Sequence, residues 1–256
     1  MIWKAAFAIS LSAATMLAAV VAHAQSGSLA ERLTMDRVGA VQPGTYAAGD
    51  KIKFVIDTAG NNYLLRFDGD PEVFAVYVDR ISLGGRLLKY DSGEIVARVS
   101  GWGGITLYTD GNPNGLPAVR AGDGNIAAPA PIGIDQVQAI AASEGERLAA
   151  LRMKITFTAD WSVLENNLAM RLVAVDAMEN AARGIERFAK NGSAREQVAH
   201  HVNTVTLATS LKPTLSLDAK TLIVTFDPDR GYFGRASSRA IARALKIVLK
   251  NAKGGH

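Results

Sequence analysis

Lys51-Ile52-Lys53-Phe54-Val55-Ile56-Asp57 places Ile52, Phe54 and Ile56 on one side and charged or smaller residues on the other. That period of two belongs to a half-buried β-strand. Gly60-Asn61-Asn62 supplies turn chemistry, and Tyr63, Leu65 and Phe67 repeat the alternation up to a second turn at Asp68-Gly69-Asp70-Pro71. Phe74, Val76 and Val78 form a third apolar face. Arg86 to Tyr90 pairs with Ile95 to Val99 across Asp91-Ser92-Gly93, and Ile105 with Leu107 closes the series. Residues 45–109 therefore read as a β-rich meander. Residues 110–131 are broken by Pro113, Pro117, Pro129 and Pro131 and by several glycines, and read as a loop or linker.

Beyond this linker the period changes. Asp135 to Arg152 has helical spacing, Lys154 to Thr158 reads as a strand, and Ser162 with Glu165 forms a capping-box pair. Leu164, Leu168, Leu172, Val175, Met178, Ala182, Ile185 and Phe188 then recur at three- and four-residue steps, predicting one long amphipathic helix from Val163 to about Lys190, with Leu168, Leu172 and Val175 facing the core. Strands follow at Val202 to Thr209 and Thr221 to Phe226, and a last helix from Ser238 to Lys250. The expected fold class is α+β: an N-terminal β-rich meander, then an α/β half (residues 132–256) with one long amphipathic helix and a C-terminal helix. A long helix argues against an outer-membrane barrel, which is built of alternating strands throughout.

The N-terminus points to export. Lys4 precedes an apolar run from Ala5 to Val21, which ends in Ala22-His23-Ala24 before Gln25, the small-x-small pattern of a signal peptidase site. The expectation is a signal peptide over residues 1–24, an N-terminal extension over 25–44, no membrane span after cleavage, and a periplasmic or extracellular location. With no cysteine the chain can carry neither a lipid anchor nor a disulfide, thiolate zinc site or iron–sulfur cluster. Its 48% hydrophobic content supplies a packed core instead. A net charge of +4 is modestly basic. Outside the cytoplasm it suits phosphorylated lipids and envelope polysaccharides, and no nucleic acid is expected.

Few residues carry chemistry. Gly-x-Ser-x-Gly is absent, as is a serine followed three positions on by lysine. His200 and His201 are adjacent, and on a strand they would face opposite ways, while His256 is terminal. Asp68, Asp70 and Glu72 alternate through a turn. They lack the further ligands of a calcium loop and read as hairpin chemistry. No catalytic residue, metal site or cofactor is expected. Trp102, within Gly101-Trp102-Gly103-Gly104, is either a ligand-stacking side chain or a cover over the core edge. Arg230-Gly231-Tyr232-Phe233-Gly234-Arg235 runs into Ser237-Ser238 at the start of the last helix. Arg230, Arg235, Ser237 and Ser238 could hold an anion on the free N–H groups there, with Tyr232 stacking beside it. The alternative is a serine-capped helix with an anchored turn.

Three segments together resemble a family of exported bacterial proteins, the domain-of-unknown-function family DUF4908. They are Leu64-Leu65-Arg66-Phe67-Asp68-Gly69-Asp70-Pro71-Glu72-Val73, then Gly103-Gly104-Ile105-Thr106-Leu107-Tyr108-Thr109 leading to Gly115-Leu116-Pro117-Ala118, and Gly234-Arg235-Ala236-Ser237-Ser238. The resemblance implies one exported unit and carries over no catalytic residues.

Two functional classes remain. The first is a non-enzymatic envelope protein, binding or structural, that meets anionic envelope components through the basic C-terminal helix. There Arg235, Arg239, Arg243, Lys246, Lys250 and Lys253 form one stripe. The alternative is an envelope-acting enzyme, such as a hydrolase without a local motif.

Overall fold

The computed structural model describes residues 40–254. The expected signal peptide and cleavage site, most of the expected N-terminal extension and His256 lie outside them.

The first half is a closed eight-stranded barrel. Its strands are β1 (Gly44–Ala48), β2 (Ile52–Ala59), β3 (Asn62–Phe67), β4 (Phe74–Arg80), β5 (Arg86–Tyr90), β6 (Ile95–Val99), β7 (Ile105–Thr109) and β8 (Asn112–Gly122). Each pairs antiparallel with the next, and β1 pairs with β8. This corrects the expected α+β meander. The strands fall where the alternation put them, but the segment read as a linker is the closing strand, with Ala118 opposite both Ala48 and Ile105. The sequence hid it for a physical reason. Ala118 is its single buried position, so β8 shows no apolar alternation, and its prolines sit beside a register irregularity, where a missing N–H is tolerated.

The alternating residues point inward. Phe54, Ile56, Leu65, Phe74, Val76, Leu88, Val99 and Leu107 are buried, and rings touch in series from Tyr46 through Phe54, Phe67 and Phe74 to Tyr90 at centroid distances of 5.0–6.3 Å. An eight-stranded barrel is just wide enough for such side chains to fill it. Each of the large ones contributes about 1.5–3 kcal/mol by leaving water. The polarity is the reverse of a transmembrane barrel's, whose interior is polar.

The second half packs helices on a four-stranded sheet of order β11-β12-β10-β9. Here β9 (Thr156–Ala159), β10 (Thr204–Thr209) and β12 (Thr221–Phe226) run parallel, and β11 (Leu215–Asp218) is an antiparallel edge. Val205, Leu207, Leu222, Val224 and Phe226 form the buried face. The helices are α1 (Ile134–Ala150), α2 (Trp161–Glu165), α3 (Leu168–Phe188), α4 (Gly192–His201) and α5 (Ser238–Gly254).

The long helix divides. Asn167 leaves helical geometry (φ −135°, ψ 96°), and its side chain caps α3 by accepting the Met170 N–H at 3.0 Å. Asp160, not a Ser162–Glu165 box, caps α2. The face of α3 differs from the expected one: Leu168 is 51% exposed and Leu172 and Val175 are half-buried, whereas Val173, Ala174, Ala177, Met178, Ala181 and Ile185 are buried. Gly184 lets α5 approach closely, since a Cβ there would meet Ile241 and Ser238, and the buried face of α3 is rich in small residues.

A candidate anion groove at the barrel–helix junction

Up-and-down connection puts the turns of a barrel alternately at its two ends. The β3–β4, β5–β6 and β7–β8 turns share one end, and each brings carboxylates there: Glu72, Asp91 with Glu94, and Asp110. The helical unit answers with cations and free N–H groups. Ser238 donates its N–H to Glu72 Oε1 at 2.8 Å and its hydroxyl to Oε2 at 2.6 Å. Ser237 N donates to Asp91 Oδ2 at 2.7 Å, and its hydroxyl to Oδ1. Two barrel carboxylates thus occupy the N-terminus of α5, where unpaired N–H groups and the helix dipole favour negative charge. Arg235 is 2% exposed and bonds Asp176 of α3 and the Val73 carbonyl of the barrel.

The terminus that the sequence marked for an external anion is therefore filled from within the chain. Ser237, Ser238 and Arg235 come together there, while Arg230 is exposed on the turn before them. Tyr232 lies 5.4 Å from the Arg235 guanidinium and stacks on it. Trp102 is elsewhere: it is 99% exposed on the β6–β7 loop, at the other end of the barrel. It does not cover the core edge. Asp70 closes its own turn by accepting Glu72 N–H at 2.9 Å, and among the described residues no three His, Asp or Glu side chains converge as metal ligands. His200 and His201 end a helix rather than a strand, with rings 4.6 Å apart.

The basic stripe begins inside the junction and ends outside it. Arg239 donates to Glu94 at 2.9 Å and Asp110 at 2.7 Å, and its guanidinium lies 4.7 Å from the Tyr90 ring centre. Arg187 pairs with Asp110 at 3.2 Å, and Arg243 donates to the Ser92 carbonyl. Burial works against charge at these groups. At Asp110 it is outweighed by Arg239, Arg187 and Lys190, which hold the carboxyl below its ordinary range. At Arg239 it is outweighed by Tyr90, Asp110 and Glu94, which keep the guanidinium charged. Burial dominates at Glu72 and pushes its carboxyl up despite Ser238 and Arg235. It also lifts the Tyr90 phenol far above its usual range.

Beside these pairs lies an open groove of about 600 Å³. Arg187, Lys190, Arg239, Arg243 and Lys246 line it against Glu94 and Asp110, five cations to two carboxylates. A cleft of about 350 Å³ shares Asp110, Arg187 and Arg239 with it and adds Lys51 and Lys53 together with Asp68 and Asp70. Another of about 490 Å³ shares Phe188 and Lys246 and adds Lys250. The three make one basic trough. Lys190 and Lys246 are exposed and, among the described residues, form no ion pair. The charged side chains of the central groove are arginines, lysines and two carboxylates, and Asn191 adds an amide.

Sequence reasoning found the stripe but missed Arg187, Lys190, Glu94 and Asp110. The contacts that bring Arg239 to Glu94 and Asp110 span 145 and 129 residues, and no local pattern reports them. Among the described residues no helix is long and apolar enough to cross a membrane. No curated protein and no solved structure matches the chain. The family model described as "Domain of unknown function (DUF4908)" matches residues 28–245, which include the barrel, the sheet and the first half of α5 but not Lys246 or Lys250, and the chain belongs to that family.

Proposed function

We propose that the chain is a non-enzymatic binding protein of the cell envelope that takes a phosphate- or carboxylate-bearing component in the basic trough. One observation carries the reading: Lys190 and Lys246 form no ion pair among the described residues, in a groove where Arg239 and Arg187 are paired with Glu94 and Asp110 and Arg243 is bonded to the Ser92 carbonyl. The ammonium groups carry charge that no carboxylate of the chain pairs with, and the guanidinium groups already bonded beside them present a preorganised positive wall to an anion. The export leader read at residues 1–24 supports the location.

The test titrates the protein with pyrophosphate, with polygalacturonate and with vesicles containing phosphatidylglycerol, which separate small phosphates, carboxylate polymers and lipid headgroups. Lys190→Gln with Lys246→Gln removes the unpaired charges and leaves the junction intact. Binding to at least one probe, weakened about tenfold by the double substitution and further by salt, is expected. Absence of binding to all three probes, or equal binding by the variant, refutes the reading.

A further inference from the structure

Charge is spread unevenly along the trough. At its α4–α5 end Lys246 and Lys250 line a cleft that holds no carboxylate, and Lys190 joins Lys246 in the central groove. All three are exposed and form no ion pair among the described residues. At the barrel end the signs nearly balance, with Lys51, Lys53, Arg187 and Arg239 facing Asp68, Asp70 and Asp110. A carboxylate beside a bound anion repels it, so a ligand charged along its whole length would lose at the barrel end what it gains at the lysines.

The barrel end suits hydroxyl groups instead. Carboxylates accept from O–H, and ammonium and guanidinium groups donate to oxygen. Asp68 is exposed and forms no ion pair among the described residues, and Asp70 commits Oδ1 to the Glu72 N–H. Apolar faces stand among these polar groups: Phe67 is half-buried in the same cleft, and Phe188 is half-buried where the central groove meets the lysine cleft. A few placed polar groups over aromatic walls are the composition of a small-molecule site. Along α5 the rise from Arg239 to Lys250 is about 16 Å, more than a single phosphate or carboxylate spans.

We propose, building on the trough as an anion site, that its ligand is an anionic saccharide. The phosphate or carboxylate meets Lys190, Lys246 and Lys250, and the hydroxyl-bearing rings extend past Arg239 to Asp68 and Asp70.

Trigalacturonate and trehalose phosphate are titrated into the protein by calorimetry, with methyl-esterified trigalacturonate, trehalose and pyrophosphate as controls. At least one charged saccharide should bind about tenfold tighter than pyrophosphate and than its own uncharged partner. Asp68→Ala should weaken that saccharide about fivefold without weakening pyrophosphate, although the substitution removes a negative charge. Pyrophosphate bound as tightly as either saccharide, or an Asp68→Ala variant that binds the saccharide equally or more tightly, overturns the saccharide and leaves the anion site standing. Absence of binding to every anion, or binding that Lys190→Gln with Lys246→Gln does not weaken, overturns the anion site and the saccharide with it.

Discussion

Gly184 lies inside α3, where an isolated helix would gain about 1 kcal/mol from alanine. In this fold the expected sign is opposite. A Cβ at Gly184 would stand 2.5 Å from Ile241 Cγ2, 2.6 Å from Ile241 Cβ and 3.0 Å from the Ser238 carbonyl oxygen. Carbon atoms settle at about 3.5–4.0 Å, so α5 would have to withdraw by about 1 Å. No rotamer change relieves the clash, because Ile241 Cβ and Ser238 O are fixed to the backbone. Withdrawal is resisted at the start of α5 by the Ser237 and Ser238 bonds to Asp91 and Glu72. Overpacking costs about 1–3 kcal/mol, and three simultaneous contacts place this site in the upper part of that range. After the propensity gain, Gly184→Ala should destabilise by about 1–2 kcal/mol. Urea unfolding is the assay, with Gly192→Ala as control, because nothing lies within 4 Å of a Cβ at that first residue of α4. In a double-mutant cycle with Ile241→Ala the two effects should be less than additive. A Gly184→Ala midpoint at or above wild type would falsify the close approach of α3 and α5.

Arg235→Ala leaves Asp176 and the Val73 carbonyl without their partner at a buried site, so it should cost about 3–5 kcal/mol in urea melts. A loss below 1 kcal/mol would mean Arg235 is solvated rather than buried. Met178→Ala should cost about 2–5 kcal/mol and Leu172→Ala distinctly less, a ranking that reverses if the exposed and buried faces of α3 are exchanged. Burial raises the Glu72 carboxyl above its ordinary 4.5, so the folded state binds a proton that the unfolded chain has released, and stability falls as pH rises from 4.5 through the raised value. Glu72→Gln should flatten that limb, and a stability gap to wild type that stays constant with pH counts against it. Asp110 acts in the other direction: its lowered value gives stability above pH 3.8 that is lost on acidification through the folded value, and Asp110→Asn should remove this acid limb. Trp102→Ser should change stability by less than about 0.5 kcal/mol, since the ring touches water rather than core, and a larger loss would show that the ring packs on the protein.

Local patterns were legible where one residue type repeats on one face. The alternation of Phe54 with Ile56 and of Tyr63 with Leu65 marks strands because period two is enforced by the pleat itself. The arginine and lysine stripe of α5 and its Ser238 start are written at helical spacing, and three short segments carried the family resemblance. The sequence also misled in places. Leu168 and Leu172 outweighed Ala174, Ala177 and Ala181 on hydrophobicity alone. In the structure these alanines are buried, and on the same helix Gly184 stands against Ile241 and Ser238 of α5, where a side chain would not fit. The Ser162–Glu165 pair resembled a cap, yet Asp160 and Asn167 supply the caps on either side of a break that periodicity carried straight across.

From its own residues the sequence determined the strands β2 to β7, the absence of thiol chemistry and the basic stripe, all properties set within a few neighbouring positions. Closure of the barrel required pairing β8 with β1, about 70 residues apart, with one buried alanine as the inward signal. The groove required three turns of the barrel to meet two helices, so that Glu72 and Asp91 fill the terminus that seemed open to a ligand, and Lys190 and Lys246 are left as the unpaired charges. Whether a cation is consumed in an internal pair or remains available depends on which carboxylate lies within a few ångströms, because attraction between charges is strong at contact and screened by water and salt beyond about 10 Å. Distance in space is fixed by the tertiary fold and not by position along the chain.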